Sequence, residues 1–183
     1  MVPMLGGEVV ERKQCVAIFP ATRHQRCWVH KIANVLNKVA LSVQTNMKKD
    51  LREIYLAPNR ASAEVAIDIF AEKYGAKYDK AVECLTKDRE ALLAYFEFPA
   101  EHWDHLRTTN PIESVFATVR HRTVRTKGSL SSTTARLMVF RLIVAASTTW
   151  RRLKGTNHLP KIIAGVRFQD GIEVIKVPAT NAA

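Results

Sequence analysis

The chain has 183 residues, 28 Lys and Arg against 17 Asp and Glu, a formal net charge of +11, and 47% apolar residues. That apolar content excludes a disordered polycation, and seven Gly and seven Pro exclude low-complexity or collagen-like material. The charge points to a polyanionic partner, and the length allows one domain with a real core, or one domain and a small appendage.

Residues 1–13 carry little ordering signal. Cys15 to Phe19 is a short apolar run stopped by Pro20, and the short stretch Thr22 to Trp28 fits a buried strand. From Lys31 the period changes: Ile32, Val35, Leu36 and Val39 mark an amphipathic helix. Met47, Leu51, Ile54 and Tyr55 mark a second, stopped by Pro58. Val65, Ile69 and Phe70 share a face of a third, with Gly75 as its stop. Tyr78 to Tyr95 reads as a fourth, and Phe98-Pro99 opens a connection carrying Trp103. Asn110 is a good N-cap and Pro111 a good first residue for a helix striped by Ile112, Val115, Phe116 and Val119. Thr133 to Leu153 is another helix, and Ile172 to Val177 fits a terminal strand. The chain is therefore expected to be mostly helical with a little sheet.

Charge falls in blocks. Residues 12–49 hold eight bases and no acid, residues 50–104 hold twelve acids and seven bases, and residues 107–154 hold ten bases with Glu113 as their one acid. A fold that brings the two basic blocks together makes one positive face, although charged runs are commonly just solvated helix faces. Three widely spaced cysteines imply no disulfide framework, so a reducing cytoplasm is expected. Met1 to Gly7 is too short for a secretion signal, and Leu137 to Ala146, broken by Arg141, is too short to span a bilayer. A soluble protein with no membrane partner is expected.

Glu113 has two readings. Asn110-x-x-Glu113 fits a capping box, and a lone carboxylate among arginines also fits a divalent-metal ligand for phosphodiester chemistry. Arg120, seven residues on, shares its face, while Arg122 and Arg125 are rotated toward a neighbouring backbone. His24-x-x-Cys27-x-x-His30 has metal-like spacing but no second ligand pair, so packing and turn roles compete with metal binding. Trp28, Trp103 and Trp150 sit among apolar residues, which favours burial over base stacking.

Two motifs carry a resemblance. Arg26-Cys27-Trp28-Val29-His30-Lys31 followed by Ala33 to Lys38, and Leu106-Arg107-Thr108-Thr109-Asn110-Pro111-Ile112-Glu113-Ser114 followed by Val119 to Thr123, resemble the Cys-x-x-His signature and the last catalytic acid of bacterial Mutator-type insertion-sequence transposases. The resemblance runs from about Phe19 to Val174. It implies an α/β, predominantly helical fold, a partial ribonuclease-H-like core with an all-α insertion. Residues 1–30 would be a remnant of the core, with a strand near 22–28. Residues 31–105 would be the insertion, and 106–183 the return to the core with the Glu113 helix and a C-terminal helix.

The family cuts and joins transposon ends with Mg²⁺ or Mn²⁺ held by an Asp, Asp, Glu triad. The resemblance assigns Glu113 to the triad, as catalytic residue and metal ligand. It makes Cys27 and His30 the family motif. Arg107, Asn110, Arg120, His121, Arg122, Arg125 and Lys127 become the expected DNA contacts. No Asp precedes Asp50 and no N-terminal DNA-binding region is present, so the two triad aspartates have no counterpart here. The expectation is the C-terminal portion of a transposase, from a truncated, frameshifted or split gene, inactive alone and holding no metal tightly. The alternatives are a non-catalytic DNA-binding fragment that regulates a full-length transposase, and a poorly folded remnant. The expected partners are DNA, a second copy or a full-length transposase.

Overall fold

A computed structural model describes residues 24–108, 110–125, 127 and 131–175. The first helix, α1 (Trp28–Leu36), starts inside the stretch expected to be a strand, and His24 to Cys27 pair with no strand. Residues 22 and 23 lie outside the described residues. The extended approach to α1 bonds instead to helical neighbours: the Arg26 N–H donates to the Ala91 carbonyl at 2.8 Å, and the Trp28 N–H to the Arg107 carbonyl at 2.9 Å. Trp28 is wholly buried, and its indole N–H donates to the Leu92 carbonyl at 2.9 Å.

Helices α2 (Leu41–Tyr55), α3 (Arg60–Gly75) and α4 (Asp79–Thr86) pack with α1 around one core. Met47, Leu51 and Ile54 of α2 are buried as their spacing predicts. On α3 the buried face is Ala63, Ile67, Phe70 and Tyr74, while Val65 and Ile69 are exposed, contrary to expectation. Both sets have helical spacing, and the face carrying the two large rings is the one turned inward. Phe70 and Tyr74 pack ring to ring at 4.8 Å.

The single helix expected over Tyr78 to Tyr95 is broken at Lys87 and Asp88 into α4, α5 (Arg89–Leu93) and a 3-10 turn, Ala94–Glu97. The break puts the Asp88 carboxylate against Lys31, which is only 2% exposed, and 3.4 Å from Arg26. The Lys31 ammonium also donates to the Cys84 carbonyl at 2.8 Å. A buried ammonium must be paired in this way, and continuing the helix would remove its carboxylate.

After α6 (Trp103–Leu106), α7 (Asn110–Arg125) and α8 (Ser132–Ser147) pack against each other. Ser131 caps α8 by accepting from the Thr134 N–H at 3.1 Å. The helix ends at Ser147, short of the expected Leu153, and Trp150 is exposed rather than buried. No residue of α8 is buried, and Phe116, Leu137 and Phe140 are each 61% exposed. This two-helix arm carries an apolar surface that the described residues leave uncovered.

The chain closes with α9 (Leu159–Ile163) and an antiparallel hairpin, β1 (Phe168–Gln169) with β2 (Ile172–Glu173), the one sheet among the described residues. The terminal strand expected over 172–177 covers only Ile172 and Glu173, and residues 176 and 177 lie outside the described residues. The turn residues Asp170 and Gly171 both have positive φ, 50° and 84°, as a two-residue hairpin requires. The tip reaches across the fold. Asp170 accepts from the Arg60 N–H at 2.6 Å, adding to the Asn59 cap at the start of α3, and Gly171 bonds to Phe96 and Ala100. A Cβ on Gly171 would stand 2.7 Å from the Ala100 Cβ and 3.0 Å from its nitrogen. Gly171→Ala is therefore expected to lower stability by about 1–3 kcal/mol, read as a lower urea midpoint at unchanged slope. Among the described residues, no helix is long and apolar enough to cross a membrane.

Candidate active site

Two short segments build the site. The bond from the Trp28 N–H to the Arg107 carbonyl fixes the start of α1 against the turn before α7. This sets the first turn of α1 beside the first turn of α7. Cys27 points inward and is buried, while His30, three residues on, points outward. The His30 Nε2 lies 3.2 Å from a Glu113 carboxylate oxygen, with the two side chains 35% and 42% exposed. The other ring nitrogen of His30 is buried and has no hydrogen-bond partner among the described residues. The Cys-x-x-His motif thus splits its work, the cysteine packing and the histidine meeting the carboxylate.

The other expected residues divide. Arg120, His121, Arg122 and Arg125 are exposed along α7, and Lys127 is exposed just past it. The Asn110 side chain, and with it one half of the capping box, lies outside the described residues. Arg107 sits apart from the exposed set. Its guanidinium is buried, donates to the Tyr55 carbonyl at 2.9 Å and to Asp104 at 2.7 Å, and lies over the Tyr55 ring at 4.5 Å. These contacts tie α2, α6 and the start of α1 together. Arg107→Ala is expected to cost about 2–4 kcal/mol in a denaturant titration while leaving the salt dependence of any DNA binding unchanged.

Sequence reading also missed acidic partners that neutralise bases. Lys31, counted in the first basic block, is buried against Asp88, and Lys154 of the second block is paired with Asp104 at 2.9 Å. What stays exposed is concentrated on the arm and just beyond it: Arg136, Arg141, Arg151 and Arg152 join the α7 set. No periodicity distinguishes a base that folding pairs and buries from one left exposed; only the fold shows which acids arrive.

Hydrogen bonds from Lys154 and Arg107, with their charges, hold the Asp104 carboxyl below its ordinary value against the opposing effect of burial. At Asp50, burial pushes the carboxyl up, but bonds from Lys73 and Tyr74 and the charge of Lys73 outweigh it and leave the group lowered. Carboxyls lowered by folding stabilise the protein above the unfolded-state value and lose that contribution as pH falls through the folded value. Stability is therefore expected to hold as pH falls toward about 4 and to drop below it. Asp104→Asn should weaken that acid-side slope in melts taken from pH 6 to pH 2.

No group of three or more His, Cys, Asp or Glu side chains is placed to hold a metal ion among the described residues. Glu113 with His30 is a two-ligand set, and a two-ion centre needs several bridging and flanking carboxylates. The described residues do not fit such a centre.

Residues 12–167 match the family model described as "Transposase, Mutator family". The chain is 49% identical over 154 residues to the transposase for insertion sequence element IST2 of Acidithiobacillus ferrooxidans, covering 84% of this chain and 52% of that protein. It is 46% identical over 154 residues to the transposase for insertion sequence element IS6120 of Mycolicibacterium smegmatis, covering 84% and 48%. A probable transposase of Corynebacterium diphtheriae is 32% identical over 129 residues, covering 70% and 37%. The chain spans about half the length of the first two of these relatives.

Proposed function

This chain belongs to the Mutator family of transposases, and from that premise we propose that it is the C-terminal portion of an insertion-sequence enzyme that cuts and joins DNA ends. The carrying observation is the 3.2 Å approach of His30 to Glu113, which brings the family's two motifs together across the long helical segment between them. In this reading Glu113 is the last acid of the catalytic triad, His30 holds it, and residues 31–105 are the insertion that separates them. Residues 106–183 return to a ribonuclease-H-like core. The uncovered apolar surface of α7 and α8 supports this: Phe116, Leu137 and Phe140 have the character of a face turned toward a sheet.

Mg²⁺ or Mn²⁺ belongs to the intact family enzyme. In this reading Glu113 is the triad acid that these residues supply, and the exposed bases of the arm bind and orient DNA. The exposed arginines of the arm favour a second role, as a DNA-binding fragment that modulates a full-length transposase.

An end-cleavage assay tests both parts. The chain alone, with Mg²⁺ or Mn²⁺, is expected to show no strand cleavage, and robust cleavage abolished by Glu113→Gln would refute its inactivity. In a full-length relative, the Glu-to-Gln change at the position matching Glu113 is expected to abolish cleavage while leaving DNA binding intact. Retained cleavage would remove Glu113 from the triad.

A further inference from the structure

The helical segment between the two motifs is acidic in sum, yet one groove on it is lined largely by hydrogen-bond donors. It lies between α2 and α3, has a volume of about 340 Å³, and is lined by Ser42, Val43, Asn46, Lys49, Asp50, Lys73 and Tyr74. Ser42, Asn46 and Lys49 are spaced i, i+4 and i+7 and so form one wall on α2. Lys73 stands on the other wall.

The single carboxylate of the groove is already committed. One oxygen of Asp50 accepts both from the Lys73 ammonium, at 2.6 Å, and from the Tyr74 hydroxyl, at 2.7 Å. Lys73 leans over the Tyr74 ring at 5.3 Å while its side chain stays 53% exposed, so its ammonium remains open to solvent beyond that bond. Lys49 is exposed and makes no ion pair among the described residues, even though Glu53 follows one turn later. Exposed Lys48 adds a further charge beside it. An acid neutralised on the floor, two ammonium groups at the walls, and a hydroxyl and an amide between them are what a phosphate group needs.

We propose that this groove is a second phosphate-contacting surface, which takes the backbone of duplex DNA while the α7 arm contacts it elsewhere. The proposal rests on the DNA-binding reading above. It adds the groove walls on α2 and α3 to the DNA interface, for which the sequence names individual contacts at residues 107–127. Phosphate chemistry alone would also suit a free inorganic anion, and the test separates the two.

The measurement is fluorescence anisotropy of a labelled duplex against the 183-residue chain over a salt series, for the wild type, Lys49→Ala, Lys49→Arg and Arg122→Ala, each first shown to melt like the wild type. Each lost phosphate contact should reduce the slope of log K against log salt by about 0.9. Lys49→Ala is expected to lower affinity several-fold at low salt and to lose that slope, and Lys49→Arg to restore both. If the wild type binds and Arg122→Ala loses slope while Lys49→Ala does not, the groove is overturned and the DNA reading stands. If the wild type shows no binding at low salt, the DNA reading fails and the groove with it. A parallel NMR titration with inorganic phosphate is expected to leave the Lys49 and Asn46 amide signals unmoved at sub-millimolar concentration. Saturation there would assign the groove to a free anion and overturn the proposal.

Discussion

Trp28→Ala is expected to cost about 3–5 kcal/mol, enough to leave a domain of ordinary stability close to unfolded. The indole is wholly buried and lies 6.0 Å from the Tyr55 ring, so truncation opens a cavity where α1, α2 and α5 meet. It also leaves the Leu92 carbonyl without the indole N–H. That carbonyl keeps the Gln25 side-chain amide as a donor at 3.1 Å, so the lost bond adds only about 0.5–1.5 kcal/mol. Trp28→Phe keeps much of the volume and loses the donor, so it should fall between the two. Urea titrations followed by far-ultraviolet circular dichroism give the ranking, wild type above Trp28→Phe above Trp28→Ala. Equal midpoints for wild type and Trp28→Ala would contradict the packing described.

Lys31→Met is the second large effect, at about 3–5 kcal/mol. Methionine keeps the unbranched stem but removes the ammonium that joins Asp88 and the Cys84 carbonyl. Asp88 is then left largely buried, with Arg26 at 3.4 Å as its remaining described ion partner. Removing the second charge as well removes the reason for the penalty. Lys31→Met with Asp88→Asn should thus cost clearly less than the sum of the two single changes. A double-mutant cycle measures this coupling, and strict additivity would show that the pair contributes nothing as a pair.

The helices around Met47, Leu51, Ile54 and Val35 were legible because their periodicity and their burial agree. Legibility ended where two patterns competed on one helix, as on α3, where Val65 and Ile69 obey the helical spacing as well as Phe70 and Tyr74 do. It ended again at Asp88, where a buried charge on another helix decides the break, because such a partner leaves no local mark. The same limit applies to the site. Glu113 stood out as a lone acid among bases and by its resemblance to a family motif, and His30 by its spacing from His24 and Cys27 and by the same resemblance. Their approach is a tertiary fact, dependent on the backbone bond between Trp28 and Arg107. Arg107 shows the reverse: inside a basic block it reads as a phosphate contact, yet two aromatic rings and a carboxylate have already claimed it.

The bond from the Arg60 N–H to Asp170 has a consequence for the order of events at the ribosome. The acceptor is made 110 residues after the donor. At about 5–20 residues per second, Arg60 is joined to the chain roughly 5–20 s before Asp170. Through that interval α3 has Asn59 at its start but not Asp170, and Phe96 and Ala100 lack the Gly171 backbone that finally meets them. The helical body must therefore persist in a provisional form while α7 to α9 are being translated. Its final closure is a late step made by the two turn residues Asp170 and Gly171.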